Sequence, residues 1–240
     1  MGAATDKVDD SKLGVESIAK YYDCKCESYE RKYNIGYYTH IHTGLYDPED
    51  FPFLYRNDVD FKMLGLERIK YLLFVGQENL TRYACKNFSV GNLKKILDVG
   101  CGHGGTCIYI AQNYNIKVVG ITVSREQLLR TIEFVRMAGL EHLLDIRLVD
   151  VLKCDFADDE FDGVIAIDSF CHIGNFEKLF SVLSRATRPS GKLVICDYFV
   201  DKINSGFKER FDSYWVACVS TLRQLLDAAR EGFVIKSVRE

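Results

Sequence analysis

The chain has 240 residues, 48% of them apolar, which is enough for one large α/β domain with a core of its own. A formal charge of −3 supplies no basic field for nucleic acid or an anionic membrane, and no run approaches the roughly 18 apolar residues that span a bilayer. Nine cysteines, odd in number and without a C-x-x-C pair or a secretory leader, read as free thiols of a cytoplasmic protein, with no metal site expected among them.

Residues 1–12 are polar and read as a disordered tail. Residues 13–92 are rich in Tyr and Phe, read as mostly helical, and are expected to cap the domain that follows at 93–240. That domain alternates strands and helices. A strand at 94–99 enters a helix at 104–114. A strand at 117–121 precedes a helix that Ser124 caps and Gly139 ends. Strands at 145–149 and 161–167 lead to a helix at 175–187. Arg188-Pro189-Ser190-Gly191 then turns the chain into a strand at 192–198. Helical pattern returns over 207–230, and 233–238 reads as a sixth strand, with no seventh after it. The alternation implies an α/β fold: a doubly wound parallel sheet with helices on both faces and a ligand site at the carboxyl ends of its strands.

Residues 96–105, Ile-Leu-Asp-Val-Gly-Cys-Gly-His-Gly-Gly, run from an apolar strand into a turn in which Gly100, Gly102 and Gly105 satisfy G-x-G-x-x-G. The glycines alone do not choose between ligands. A nicotinamide site wants an acid about 20 residues further on, for the ribose; Gly120-Ile121-Thr122-Val123-Ser124 has none. Asp98 would also oppose the phosphates of a nicotinamide cofactor. S-adenosylmethionine carries no phosphate, and its ammonium and sulfonium suit an acid placed before the glycines. Asp150 follows the third strand, where it could accept from an adenine amino group while the Val151 backbone reads a ring nitrogen; a helix N-cap is its other reading.

The first motif at 96–105, the stretch from Asp155-Phe156 to Phe161-Asp162 and the Arg188-Pro189-Ser190-Gly191-Lys192 turn together resemble the class I S-adenosylmethionine-dependent methyltransferases, whose fold is Rossmann-like. The resemblance covers about 90–240. The missing acid after the second strand is similar to the subgroup of tocopherol methyltransferases, geranyl diphosphate methyltransferases and cyclopropane fatty acid synthases. That likeness implies a ribose held by Thr122 and Gln127, a turn of Gly100, Cys101 and Gly102 facing the cofactor, and a lipid, terpenoid or other small acceptor. Mg2+ would enter only with a diphosphate acceptor. Asp168-Ser169-Phe170-Cys171-His172 resembles segments of sterol C-methyltransferases and phosphoethanolamine N-methyltransferases.

His172, after the fourth strand, is the expected base, since its ordinary pKa of around 6.5 suits neutral pH. Asp168 could orient it, accept from the acceptor, touch the cofactor's amino group, or cap the next helix. His40 and His42 alternate along an extended segment and share a face, where they could line the acceptor pocket or bind a phosphate. Tyr21, Tyr22, Tyr46, Tyr198 and Trp215 could wall an apolar pocket and steady a cation. The resulting expectation is a small-molecule methyltransferase, C-methylation of an isoprenoid-like or lipid acceptor leading and N-methylation of a small amine second. A nicotinamide oxidoreductase and a non-catalytic S-adenosylmethionine-binding partner subunit are the alternatives of other classes. The short sheet speaks for the partner subunit, whose partner would cover the sheet's edge, and a homo-oligomer is compatible with the sequence.

Overall fold

In the computed structural model of this chain the described residues are 14–33, 39–46, 65–88, 93–200, 202, 206, 217–218 and 220–239. The expected tail at 1–12, Trp215 and most of 207–221 lie outside them.

Five strands form one sheet: β1 (Lys95–Val99), β2 (Lys117–Thr122), β3 (Leu144–Leu148), β4 (Phe161–Ile167) and β5 (Thr187–Cys196). Their order is β3-β2-β1-β4-β5 and every neighbouring pair is parallel. The chain winds outward from β1 through β2 to β3, then returns to place β4 on the other side of β1. The crevice at the carboxyl ends of β1 and β4 is therefore the topological switch point.

Helices cover both faces. α1 (Val15–Tyr33) and α2 (Leu66–Phe88) precede the sheet. α3 (Gly105–Tyr114), α4 (Arg125–Met137), α5 (Phe176–Ala186) and α6 (Leu222–Ala229) follow β1, β2, β4 and β5. The period-2 alternation of the strands sorts the core in two. Ile96, Ile165 and Ile167 pack with Cys85, Ile108 and Phe134 of α2, α3 and α4. Leu97, Val99, Val164 and Ala166 pack with Phe180, Leu183 and Leu225 of α5 and α6.

Local signals explain the boundaries. Ser124 accepts the Gln127 N–H at 3.1 Å as the N-cap of α4, and Gly139 takes a φ of 67° just beyond its end. β4 spans the expected 161–167. β5 begins earlier than the Arg188-Pro189-Ser190-Gly191 turn suggests. Thr187 pairs with Phe161, and the register shift that follows absorbs the turn, with Ser190 at a φ of 65°.

Two expectations are corrected. Residues 233–238 form no strand: Val234 and Val238 are exposed, and Phe233 instead sets its ring against Phe180 of α5. In the aromatic N-terminal region, α2 is a layer of the core rather than a cover over the carboxyl edge. Ala84, Cys85 and Phe88 are buried, and α2 packs against β5, β4 and α3. The segment 39–46 and α1 are what lie over that edge.

Candidate functional site

A cavity opens at the switch point. Its floor is Asp98–Gly102 from β1 and the glycine turn, flanked by Thr122, Gln127 and Asp150–Leu152 on one side and Asp168, Ser169 and His172–Gly174 on the other. Val15, Ile18 and Tyr22 of α1 and Thr39–His42 close it from above.

The glycine turn is shaped by close approach. Gly100 and Gly102 sit at φ of 76° and 55°, in the left-handed region. A Cβ on Gly100 would stand 2.5 Å from Cβ of Ser169, and one on Gly102 would stand 2.9 Å from the Ile41 side chain. The N–H groups of Gly100 and Cys101 donate to the Ile121 carbonyl, at 3.0 and 2.9 Å, which ties the turn to β2.

Acids collect at this edge. Asp98 is 2% exposed and accepts from the Cys107 thiol at 3.1 Å. Burial pushes its carboxyl up to about 7. No cationic side chain among the described residues pairs with it. Asp150 accepts the Leu152 N–H at 2.9 Å, so it is an N-cap, of a short 3-10 turn, as well as a cavity-lining residue. Asp168 has a left-handed φ of 49° and accepts the Thr43 N–H at 2.5 Å, which pins the covering segment. Between them, Thr122 donates its hydroxyl to Gln127 Oε1 at 2.7 Å, both side chains being buried.

His172 Nε2 lies 2.7 Å from the Tyr22 hydroxyl, the two rings standing nearly perpendicular. Burial, followed by the nearby Cys171, raises the Tyr22 phenol well above its ordinary range, so it keeps its proton. The turn that carries His172 (Phe170–His172) is held from outside itself. Ser169 spends its hydroxyl on the Val99 carbonyl, and Asp197 Oδ2 accepts the N–H groups of Phe170 and Cys171. Burial and the charge of Asp168 push Asp197 up to about 6, against the N–H groups that pull it down. Sequence reasoning missed Asp197, although it is an acid directly after a strand, the signal that singled out Asp150 and Asp168.

His40 and His42 do share a side, and both line the cavity, but they are engaged with each other. His42 Nδ1 donates to the Thr43 carbonyl at 2.7 Å, which leaves Nε2 to accept from His40 Nδ1 at 3.1 Å or from Thr81 Oγ1 at 3.2 Å. Burial lowers both imidazoles, so they are neutral. Three of the expected pocket aromatics do not line the cavity. Tyr21 lies edge-on behind Tyr22, Tyr198 is half exposed, and Tyr46 packs on α2, where a Cβ at Gly76 would meet its ring at 2.3 Å.

α1 is fastened by polar contacts along its length. Besides Tyr22, Asp23 accepts from the Ser124 hydroxyl at 2.5 Å and the Glu126 N–H at 3.1 Å, Cys26 meets His103, and Glu30 pairs with Arg130 at 2.8 Å.

Comparison with known proteins agrees with this architecture. A methyltransferase of Streptomyces halstedii, GfsG, is 35% identical over 123 residues, covering 51% of this chain and 44% of that protein. The cyclopropane-fatty-acyl-phospholipid synthase of Escherichia coli K12 is 28% identical over 166 residues, covering 67% and 41%. This chain thus spans less than half the length of either relative. The crystal structure of geranyl diphosphate C-methyltransferase from Streptomyces coelicolor A3(2), with Mg2+, geranyl-S-thiolodiphosphate and S-adenosyl-L-homocysteine, shares the fold. Its TM-score is 0.80 at 18% identity, covering 91% of this chain and 78% of that one. Residues 67–223 match the mycolic acid cyclopropane synthetase family, and the chain belongs to it.

Proposed function

We propose that this chain is an S-adenosylmethionine-dependent methyltransferase acting on an apolar small molecule, with C-methylation of an isoprenoid-like, terpenoid or lipid acceptor as the leading reaction. The observation that carries this reading is Asp98, a fully buried carboxylate that faces a cavity and has no cationic side chain against it among the described residues. A buried carboxylate calls for a positive partner. The cationic amino-acid end of S-adenosylmethionine is such a partner, and the cavity beside Asp98 is lined by the backbone of Gly100 and Gly102.

When bound, the cofactor supplies a methyl group on a sulfonium for in-line displacement. The residues divide the remaining work. Thr122 and Gln127 would hold the ribose, and Asp150 with the Val151 backbone the adenine. Gly100, Cys101 and Gly102 form the floor beside Asp98. Tyr22 orients the His172 ring through Nε2, and His172 would be the group that takes a proton leaving the acceptor. Alignment within a closed cavity accounts for up to about 7–11 kcal/mol of rate enhancement in ideal cases, and a positioned base adds about 10²–10⁴-fold.

The described lining presents Asp98, Asp150 and Asp168 and neither lysine nor arginine. Such a lining suits an uncharged or cationic acceptor better than a diphosphate, and an uncharged acceptor needs no Mg2+. The same carboxylates, with Tyr22, support the second reading, N-methylation of a small amine.

Thermal shift with S-adenosylmethionine, S-adenosylhomocysteine and NAD tests the cofactor. Methyl-labelled cofactor offered with sterols, tocopherol precursors, prenyl diphosphates and amino alcohols tests the acceptor. Stabilisation by NAD alone would overturn the cofactor reading. Cofactor binding with no acceptor labelled would leave a non-catalytic partner subunit.

A further inference from the structure

Outside the cavity, α1 and the glycine turn bring together three side chains that methyl transfer does not use. Cys26 and Glu30 stand one helical turn apart on α1, and His103 lies between Gly102 and Gly104. Cys26 Sγ is 3.1 Å from His103 Nε2 and 4.0 Å from Glu30 Oε1, and the three donor atoms all lie within 4.8 Å of one another. Cys26 and His103 are 4% and 0% exposed. Nδ1 of His103 is buried without a hydrogen bond among the described residues, so the ring presents Nε2 to a thiol as its one polar contact there. A buried imidazole so thinly satisfied is unusual and asks for a reason.

The donor set supplies one. Thiolate, imidazole and carboxylate together are a zinc set, and three protein ligands leave a fourth position for water. Ligands at about 2.0–2.3 Å from a tetrahedral ion are roughly 3.4–3.6 Å apart. The 3.1 and 4.0 Å separations bracket that value, and the third, between His103 and Glu30, lies within 4.8 Å, so side-chain movement on the order of an ångström closes the site. Arg130 Nε holds the same Glu30 Oε1 at 2.8 Å, so a metal would share the carboxylate with the arginine, which is 39% exposed and has Glu133 as a second partner.

We propose that Cys26, Glu30 and His103 form a zinc site that ties α1 to the glycine turn. On binding, a zinc–sulfur bond replaces the S–H bond of Cys26 and the proton passes to solvent.

The full chain, stripped with a chelator and titrated with Co2+ alone, tests this. One equivalent should give a thiolate-to-cobalt charge-transfer band with tetrahedral d–d absorption, and Zn2+ should bleach it. The band should persist in Cys24→Ser, which removes the exposed cysteine nearby. Affinity should fall by more than about 100-fold in Cys26→Ser. Glu30→Gln, at a partly exposed ligand, should weaken it by at least about tenfold and decides the matter should Cys26→Ser fail to fold. Arg130→Gln should hold or tighten binding. Absence of the band in the wild-type chain, its survival in Cys26→Ser, or an unchanged affinity in Glu30→Gln would overturn the site.

Discussion

Asp197, at the end of β5, caps a turn that begins at Phe170: its Oδ2 accepts the Phe170 N–H at 2.7 Å and the Cys171 N–H at 3.1 Å. The cap comes from another strand because Ser169, in the N-cap position, bonds the Val99 carbonyl instead. His172 is the next residue, so its position depends on β5. Loss of a cap costs about 0.5–2 kcal/mol. Asp197→Ala should lose that much in urea unfolding and should lower turnover with cofactor affinity intact; Asp197→Asn, which keeps one acceptor, should recover part of both. Calorimetry and a kcat-against-KM comparison read the two effects.

The second prediction concerns Asp98 and pH. Its folded pKa of about 7 is raised above the ordinary carboxylate value, so the folded chain holds a proton that the unfolded chain has released. The stability it contributes is complete below about pH 4 and is lost as pH rises toward 7. Asp98→Asn should flatten this slope and leave the ligand-free chain more stable than wild type above pH 7. The same change should abolish S-adenosylmethionine binding, which in the wild-type chain should tighten as pH rises through 7. Chemical denaturation and calorimetry across pH 5–8 check both.

His172→Ala should reduce turnover by about 10²–10⁴-fold while cofactor affinity stays within a factor of about three. Tyr22→Phe removes the hydroxyl 2.7 Å from Nε2 and should shift the acid limb of the pH–rate profile as well as lower the rate. An unchanged profile would leave the tyrosine as packing alone.

Gly100→Ala combines a φ of 76° with a Cβ 2.5 Å from Ser169. Left-handed strain of about 1–2 kcal/mol and overpacking of about 1–3 kcal/mol should both appear in thermal unfolding. Ser169→Gly in the same chain removes the obstructing Cβ together with the hydroxyl on the Val99 carbonyl, so it should recover the second part less about 0.5–1.5 kcal/mol for that hydrogen bond, and leave the first.

Much of the α/β frame was legible because its signals are local. β4 closes on the apolar run 164–167, three of its four residues β-branched, and the Ser124 and Gly139 ends of α4 need no tertiary contact to be read. The carboxyl-edge acids were legible wherever the glycine turn or a family pattern drew attention to them. The misreadings came from tertiary context. Phe233 to Val238 opens on an apolar, β-branched stretch like a strand, yet Phe233 finds its partner in Phe180 while the valines stay exposed. Tyr46 belongs to the bare backbone of Gly76, thirty positions away, which no pattern of aromatics could foretell. The contacts of α1 are equally remote: Asp23 to Ser124 and Cys26 to His103 join segments that only the folded sheet brings together.

Those contacts bear on time as well as position. Tyr22, Asp23, Cys26 and Glu30 anchor one helix to the turn after β4, the cap of α4, the glycine turn and Arg130. Val15 and Ile18 of that helix help roof the cavity. Were the cofactor proposed above bound beneath it, its release would be coupled to a row of contacts reaching well beyond the reacting atoms. Loosening Asp23 or Glu30 would speed product release even where it slows the chemistry, and the catalytic cycle of this chain would be paced by a helix that its sequence presents as a mere preface.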